Sequence, residues 1–282
     1  MQPGTPSFTA FRAAAYRAAH QALDGGRVFV DPYAGRILRQ APADVFGADL
    51  DAPATRAMRR FIAARSRFAE DRLAQAVARG VRQYVVLGAG LDTFAHRNPF
   101  ADLGLRVFEV DHPATQDWKR RRLAEAGLAT PASLTFAPVN FERGTLAAGL
   151  ADVGFDAAAP AFFAWLGVVV YLTLPAIMDT LGFIAALPPG AAVAFDYGEP
   201  VSAYPLAEQP RQAARAASVA ALGEPWITRF RPSELADLLG RLGFDAVEDL
   251  RPAEIARRFF GETRAEGPGG HLVCAARLDG AA

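Results

Sequence analysis

The stretch YVVLGAGLDTFAHR (residues 84–97) joins an apolar run to a turn that contains two glycines. A short apolar run bounded by turn residues predicts a buried strand. Gly88 and Gly90 allow a sharp turn after it, because neither position carries a Cβ. The dinucleotide-binding fingerprint needs a third glycine, and Thr93 stands in its place. The turn therefore favours a nucleoside without phosphates, although two glycines alone are equally typical of a simple strand-to-turn connection.

The next apolar run, LRVFEVD (residues 105–111), ends in two acidic residues. Alternation along a strand places Glu109 and Asp111 on the same side, with Asp111 about 20 residues past the glycine turn. At that spacing an acidic side chain accepts hydrogen bonds from both hydroxyls of a ribose. Asp111 is also suited to cap a helix that begins at Pro113, and the two roles can coexist. Two aligned signals favour a ligand site where these strands end.

The same alternation of apolar runs and turns continues along the chain. The predicted strands are 83–90, 105–111, 133–139, 161–167, 191–198, 244–250 and 271–277. The predicted helices are 7–23, a helix opened by Asp31-Pro32 and running to about Gln40, 53–80, 112–127, 142–150, 173–187 and 232–243. Strands that are apolar on both faces and alternate with helices indicate a doubly wound α/β fold. We predict a seven-stranded, mostly parallel sheet whose last hairpin reverses direction.

One domain over residues 1–282 accounts for this order of elements. The helical segment 1–80 precedes the first strand and is predicted to form a cap. Segments 81–198 and 232–282 form the predicted Rossmann-like core. The segment 199–231, inserted after the fifth strand, is predicted to act as a lid.

Composition and charge exclude several classes of protein. The formal net charge is zero, which argues against a partner held by phosphate contacts, whether nucleic acid or an anionic membrane. Cys274 is the only cysteine and the four histidines are scattered, so we expect neither a disulfide nor a metal site. The N-terminal segment lacks the apolar core of a secretory signal, and the apolar runs are too short to span a bilayer. We expect a cytoplasmic enzyme.

Several stretches, taken in order, resemble one known family. They are YVVLGAGLDT (84–93), VFEVDHPATQDWKRRRL (107–123), FFAWLGVVVYLT (162–173), TAFRAAAYRAAHQALDGGRVFVDPYAGRIL (9–38) and LGEPWITRFRPSELADLLGRLGFDAVEDL (222–250). Together they resemble the leucine carboxyl methyltransferase family, in its bacterial branch of S-adenosylmethionine-dependent methyltransferases. The resemblance spans nearly the whole chain. It implies the Rossmann-like fold of class I methyltransferases and S-adenosylmethionine as cofactor.

The resemblance also implies roles for individual residues. Gly88 and Gly90 would pass under the methionine moiety, and Asp111 would hold the ribose. Arg65 would pair with the cofactor's carboxylate, helped by Arg17, and Asn140-Phe141 would lie beside the adenine. By residue counting alone, Arg65 belongs to a solvated, arginine-rich helix face. The full set of expected cofactor-binding residues is Arg17, Arg65, Gly88, Ala89, Gly90, Asp92, Glu109, Asp111, Asn140, Phe141 and Trp165.

Besides Asn140-Phe141, where the family commonly has Asp-Leu, one further position departs from the family pattern. The family often has Glu-Gly after the fourth strand, whereas this chain has Leu166-Gly167. A carboxylate near the sulfonium or the acceptor is therefore missing, although Trp165 offers an aromatic face to a cationic methyl donor. Trp165, Tyr171 and Tyr197 are candidates for the acceptor pocket; the alternative for Trp165 and Tyr171 is that they are core aromatics.

The predicted function is transfer of a methyl group from S-adenosylmethionine to a carboxylate or acidic hydroxyl of a small molecule. A carboxylate acceptor needs no general base because it is ionised at neutral pH. One alternative is an NAD(P)-dependent oxidoreductase on a Rossmann fold, against which the missing third glycine counts. Another is a catalytically inactive relative that binds the cofactor, which the leucine at position 166 suggests.

Overall fold

A computed structural model describes residues 8–140, 144–221, 225–263 and 270–278. Its seven strands form one sheet in the order β3-β2-β1-β4-β5-β7-β6. The strands are β1 (Gln83–Leu87), β2 (Arg106–Asp111), β3 (Leu134–Pro138), β4 (Phe162–Trp165), β5 (Ala192–Tyr197), β6 (Ala246–Leu250) and β7 (His271–Ala276). Only β7 runs against its neighbours. The predicted fold, a mostly parallel seven-stranded sheet with a reversal at its C-terminal end, is confirmed.

Helices connect and cover the strands. They are α1 (Phe8–Asp24), α2 (Ala34–Leu38), α3 (Pro42–Phe46), α4 (Pro53–Ala78), α5 (Pro113–Glu125), α6 (Leu146–Ala151), α7 (Leu174–Ala185), α8 (Gln209–Ala221), α9 (Pro232–Arg241) and α10 (Pro252–Phe260). The helix predicted to reach Gln40 ends at Leu38, because Arg39 takes a left-handed conformation with φ 53°. The short helix α3 and the helices α8 and α10 were not predicted from the sequence.

The two faces of the sheet carry separate apolar cores. In β1, Tyr84 and Val86 face one core, which α1, α2, α4 and α5 cover. Val85 and Leu87 face the other core, which α6, α7 and α9 cover. This alternation explains why the strands are apolar along their whole length. The carboxyl ends of β1, β2, β4 and β5 meet at one edge, where open α/β sheets bind their ligands.

Helix α4 covers the middle of the sheet. It contacts β4, β5 and β7, although the sequence pattern placed it in the cap. Pro53 occupies its first turn, where the missing N–H costs nothing. The proposed division into cap, core and lid insert stays a prediction. Within the described ranges, no helix has both the length and the apolar character that crossing a bilayer requires.

Candidate functional site

The glycine turn after β1 is held between three parts of the chain. Gly88 and Gly90 have φ values of 64° and 47°, which few residues with a side chain adopt. The amide of Gly88 donates to the carbonyl of Val110 at 2.8 Å, which ties the turn to β2. A Cβ on Gly88 would lie 2.5 Å from Val168, and one on Gly90 would lie 2.7 Å from Ala10 of α1. Both glycines are therefore required by close neighbours as well as by backbone conformation.

Asp111 joins the turn to the end of β2. Its Oδ2 accepts a hydrogen bond from the Gly90 amide at 2.6 Å, and its Oδ1 accepts one from the His112 amide at 2.7 Å. Burial raises the pKa of the Asp111 carboxyl, and these two amides oppose that shift. The N-cap of α5 is His112, whose side chain accepts from Ala114. The Asp111 side chain therefore does not cap α5. Each of its carboxylate oxygens accepts one backbone hydrogen bond and keeps a second lone pair for a ligand hydroxyl.

Thr93 occupies the position of the third glycine and has a structural task there. Its hydroxyl donates to Oδ1 of the fully buried Asp31 at 2.7 Å. Asp92 closes the turn by accepting from the Phe94 amide at 2.8 Å. Residues 88–105, all of them described, contain two short 3-10 helices and no α-helix. A pyrophosphate would therefore find no helix N-terminus here, which counts against dinucleotide binding.

Arg17 is engaged inside the protein. Its Nε donates to Asp31 at 2.8 Å and its Nη2 donates to the carbonyl of Leu91 at 2.7 Å. Burial alone would raise the pKa of Asp31, but the charges of Arg17 and Arg97 lower it. Arg17 thus fastens α1 to the glycine turn, and its contact with a cofactor carboxylate stays a prediction.

Arg65 lies beneath the loop that follows β4. Its Nη1 donates to Oδ2 of Asp196 at 3.2 Å, and Asp196 is its one hydrogen-bonding partner among the described residues. Oδ1 of Asp196 accepts from the Gly167 amide at 2.5 Å. A Cβ on Gly167 would lie 2.7 Å from Nη1 of Arg65, so the guanidinium packs directly under this glycine. The three residues bring α4 and the ends of β4 and β5 together.

Glu109 is enclosed between β2 and α5. Its Oε2 lies 2.5 Å from Nζ of Lys119, and both side chains are 1% exposed. Gln116 donates to the Glu109 carbonyl at 2.7 Å. Burial raises the pKa of Glu109, and the charge of Lys119 opposes the shift. This geometry gives Glu109 an internal partner, and its contact with the cofactor stays a prediction.

The aromatic candidates differ in their surroundings. Trp165 is buried at the end of β4 in the core that α6, α7 and α9 cover, whereas Leu166 packs against the core on the other face of the sheet. Tyr171 ends a short 3-10 helix after that loop. Asn140 lies two residues after the end of β3, and its carbonyl accepts from the Gly144 amide. Phe141, expected beside the adenine, lies outside the described residues.

Tyr197 belongs to a buried polar cluster at the end of β5. Its hydroxyl donates to Asp249 at 2.7 Å and lies 3.0 Å from Nδ1 of His271. His271 also reaches Glu199, at the start of the insert, at 2.9 Å. The Tyr197 hydroxyl is therefore directed at β6 and β7, and its role in the acceptor pocket stays a prediction.

Part of the insert crosses the same edge of the sheet. The Ile227 amide donates to the carbonyl of Val170 at 2.7 Å, and the Phe230 amide donates to Gly198 at 3.2 Å. The segment between them carries Arg229, whose guanidinium lies 4.6 Å from the centre of the Trp226 ring. These contacts place residues 227–230 of the insert against the loops that follow β4 and β5.

Several residues with clear roles were missed in the sequence. Asp31 was assigned only to the start of a helix, and no contact was predicted for Lys119 or Asp196. Asp31 and Asp196 are far in sequence from Thr93 and Arg65, to which they bind, so the local spacing of residues gave no signal. Among the described residues there is no group of His, Cys, Asp and Glu that could hold a metal ion.

Fold and site together define a Rossmann-like domain with a glycine turn and an acidic side chain at the carboxyl ends of β1 and β2. The leucine carboxyl methyltransferase family matches residues 10–185 of this chain. The chain belongs to that family. The family predicted from the sequence is therefore confirmed, and S-adenosylmethionine, the cofactor that the resemblance implies, is the one that the names of its relatives give.

Individual relatives agree with this assignment. A Bacillus subtilis (strain 168) protein named "Putative S-adenosyl-L-methionine-dependent methyltransferase YktD" is 36% identical over 70% of this chain, which spans 65% of that protein's length. A Mycolicibacterium paratuberculosis protein of the same description is 31% identical over 88% of this chain and 85% of its own. A crystal structure described as a "putative methyltransferase" from Thermobifida fusca covers 99% of this chain and 97% of its own, with 17% identity and a TM-score of 0.56. That last likeness concerns the fold alone.

The residues at the sheet edge fit S-adenosylmethionine. The Asp111 carboxylate, oriented by two backbone amides, suits a ribose diol. The Arg65 guanidinium, largely buried beside Gly167, suits a carboxylate. The absence of an α-helix after the turn suits a nucleoside without phosphates.

Proposed function

We propose that the protein is an S-adenosylmethionine-dependent methyltransferase of the cytoplasm that methylates an oxygen of a small molecule, either a carboxylate or an acidic hydroxyl. The observation that carries the proposal is the contact between Asp111 and the Gly90 amide at the ends of β1 and β2. That contact orients a carboxylate toward a ribose, and the turn beside it leads into no helix that would hold a phosphate.

Each wall of the site has a distinct task in this proposal. Asp111 accepts hydrogen bonds from the ribose, and Arg65 binds the carboxylate of the methionine moiety. Helix α1, which Arg17 fastens to the turn, and the insert after β5 exclude water from the edge of the sheet. The cofactor supplies an already activated methyl group, so the chain's main contribution is orientation, worth about 7–11 kcal/mol of the barrier.

The loop after β4 favours an acidic acceptor. Leu166 places an apolar side chain where the family often has glutamate, so no base is offered at that position. A carboxylate acceptor is already ionised at neutral pH and needs none. The new bond joins its oxygen to the methyl carbon, the sulfur–carbon bond breaks, and no proton has to move.

The insert adds positive charge to the same side of the site. Arg215 and Arg229 lie 5.4 and 4.6 Å from the centre of the Trp226 ring. Burial lowers the pKa of both guanidiniums. An anion bound between the insert and the sheet would lower the cost of burying these charges, which supports an acidic acceptor.

Calorimetry with S-adenosylhomocysteine tests cofactor binding. We expect the wild type to bind, and Asp111→Asn to weaken binding about 10- to 100-fold, because it removes charge-assisted hydrogen bonds. Asp117→Asn, which changes an exposed acid on α5, is the matched control and should leave the affinity unchanged. Absence of binding by the wild type, or an unchanged affinity in the Asp111 variant, would contradict the proposal.

Turnover separates the remaining alternatives. Release of S-adenosylhomocysteine is measured with a panel of carboxylic acids and phenols, each paired with its methylated form. Turnover of the free acids or phenols alone supports the proposal. Cofactor binding without turnover of any member indicates an inactive relative, and saturable binding of NADH would instead indicate an oxidoreductase.

A further inference from the structure

Arg65 and Asp196 form an ion pair at the edge where the cofactor is expected. Nη1 of Arg65 lies 3.2 Å from Oδ2 of Asp196, and the two side chains are 13% and 9% exposed. Asp196 is at the end of β5, and Gly167 joins the pair to the loop after β4. A positive and a negative group are thus held side by side in a largely desolvated place.

Such a pair is complementary to an α-amino acid zwitterion. A zwitterion carries a carboxylate and an ammonium on one carbon, and an arginine beside an aspartate presents the opposite charges at similar spacing. Charge-assisted hydrogen bonds of this kind are roughly twice as strong as neutral ones. The methionine moiety of the cofactor ends in this group.

We propose that Asp196 binds the α-ammonium of the methionine moiety while Arg65 binds its α-carboxylate. The inference rests on the proposed function and names a residue for that site.

The contacts of Asp196 leave room for this role. Oδ1 accepts one hydrogen bond from the Gly167 amide, and Oδ2 accepts one from Arg65. Each carboxylate oxygen has two lone pairs, so each retains one for a ligand. A role limited to orienting Arg65 is the alternative, and it makes a different prediction for ligands that lack the ammonium.

The test compares four ligands by calorimetry: S-adenosylhomocysteine, its deamino analogue, its decarboxylated analogue and methylthioadenosine, which lacks the amino-acid part. Asp196→Asn should weaken the binding of S-adenosylhomocysteine and of the decarboxylated analogue about 10- to 100-fold. It should leave the affinities for the deamino analogue and methylthioadenosine unchanged. Arg65→Gln should weaken the binding of S-adenosylhomocysteine and of the deamino analogue, which keep the carboxylate. It should leave the affinities for the decarboxylated analogue and methylthioadenosine unchanged. Asp179→Asn on the exposed face of α7 is the control.

The outcomes separate this inference from the function on which it rests. Equal weakening of all ligands by Asp196→Asn, or weakening of the deamino analogue as much as of S-adenosylhomocysteine, would assign Asp196 an orienting role and overturn the inference. So would an unchanged affinity throughout, with normal binding by the wild type. Failure of the wild type to bind S-adenosylhomocysteine would refute the proposed function as well. Urea unfolding of each variant establishes that it is folded.

Discussion

Replacing Gly167 by alanine tests whether the loop after β4 positions Arg65. Gly167 has φ 71°, and an alanine there costs about 1–2 kcal/mol of folding free energy in backbone strain. Its Cβ would also lie 2.7 Å from Nη1 and 2.8 Å from Nη2 of Arg65. Since the end of an arginine side chain can move, the guanidinium should shift and lose its hydrogen bond to Asp196. A hydrogen bond to a charged group contributes about 1.5–3 kcal/mol.

Gly104 provides a matched control for the strain alone. It has φ 77°, and a Cβ there would meet nothing within 4 Å. In urea unfolding, Gly104→Ala should lower the free energy of unfolding by the cost of backbone strain alone. Gly167→Ala should lower it by that cost and by the contribution of the lost hydrogen bond. Calorimetry should show S-adenosylhomocysteine binding weakened tenfold or more in Gly167→Ala, because the displaced guanidinium would also lose a charge-assisted hydrogen bond to the ligand carboxylate, worth about 1.5 kcal/mol at the lower end. Binding should be unchanged in Gly104→Ala. Equal affinities in the two variants would refute the idea that Gly167 holds Arg65 for the cofactor.

Two further predictions concern buried charges. Lys119→Met leaves Glu109 without its partner and should lower the free energy of unfolding, measured by urea titration, by about 3–5 kcal/mol. The double variant Lys119→Met/Glu109→Gln should recover much of this loss, because no unpaired charge is then buried. A double variant no more stable than the single one would contradict this. Burial alone lowers the pKa of His271, but Asp249 and Glu199 outweigh it and raise the pKa. The stabilisation is therefore complete below the unfolded value of about 6.5 and is lost as pH rises through the folded pKa. His271→Gln should flatten this decline in stability, and a wild type whose stability does not fall over that range would rule the linkage out.

Features with strong local signals were predictable from the sequence. The strand β1 and the glycine turn follow from an apolar run beside Gly88 and Gly90, and each predicted strand is present within a few residues of its expected bounds. The position of Asp111 at the end of β2, beside the glycine turn, was also predictable, because strand alternation and the spacing from the turn can be counted along the sequence. The helix ending at Leu38 was overestimated, since the left-handed turn at Arg39 follows from no residue preference.

Contacts between distant parts of the chain were not predictable. Arg65 and Asp196 are separated by 131 positions, and Tyr197 and His271 by 74. The sequence places Tyr197 at the end of the fifth predicted strand, but the direction of its hydroxyl depends on β6 and β7. Lysine side chains are normally exposed, so the sequence gave no reason to expect a buried one. The side chain of Lys119 on α5 is fully buried because it pairs with Glu109 on β2.

The attachment of α1 to the glycine turn has a consequence for folding. Arg17 meets the Leu91 carbonyl across 74 residues, and Thr93 meets Asp31 across 62. Contacts with such large sequence separation form slowly, because the intervening chain must be closed first. The turn can fold locally with β1, but its outer side is completed only when the N-terminal helix docks. The predicted nucleoside site is therefore complete only when α1 has docked, and release of this helix would expose the outer side of the turn without breaking a strand pairing.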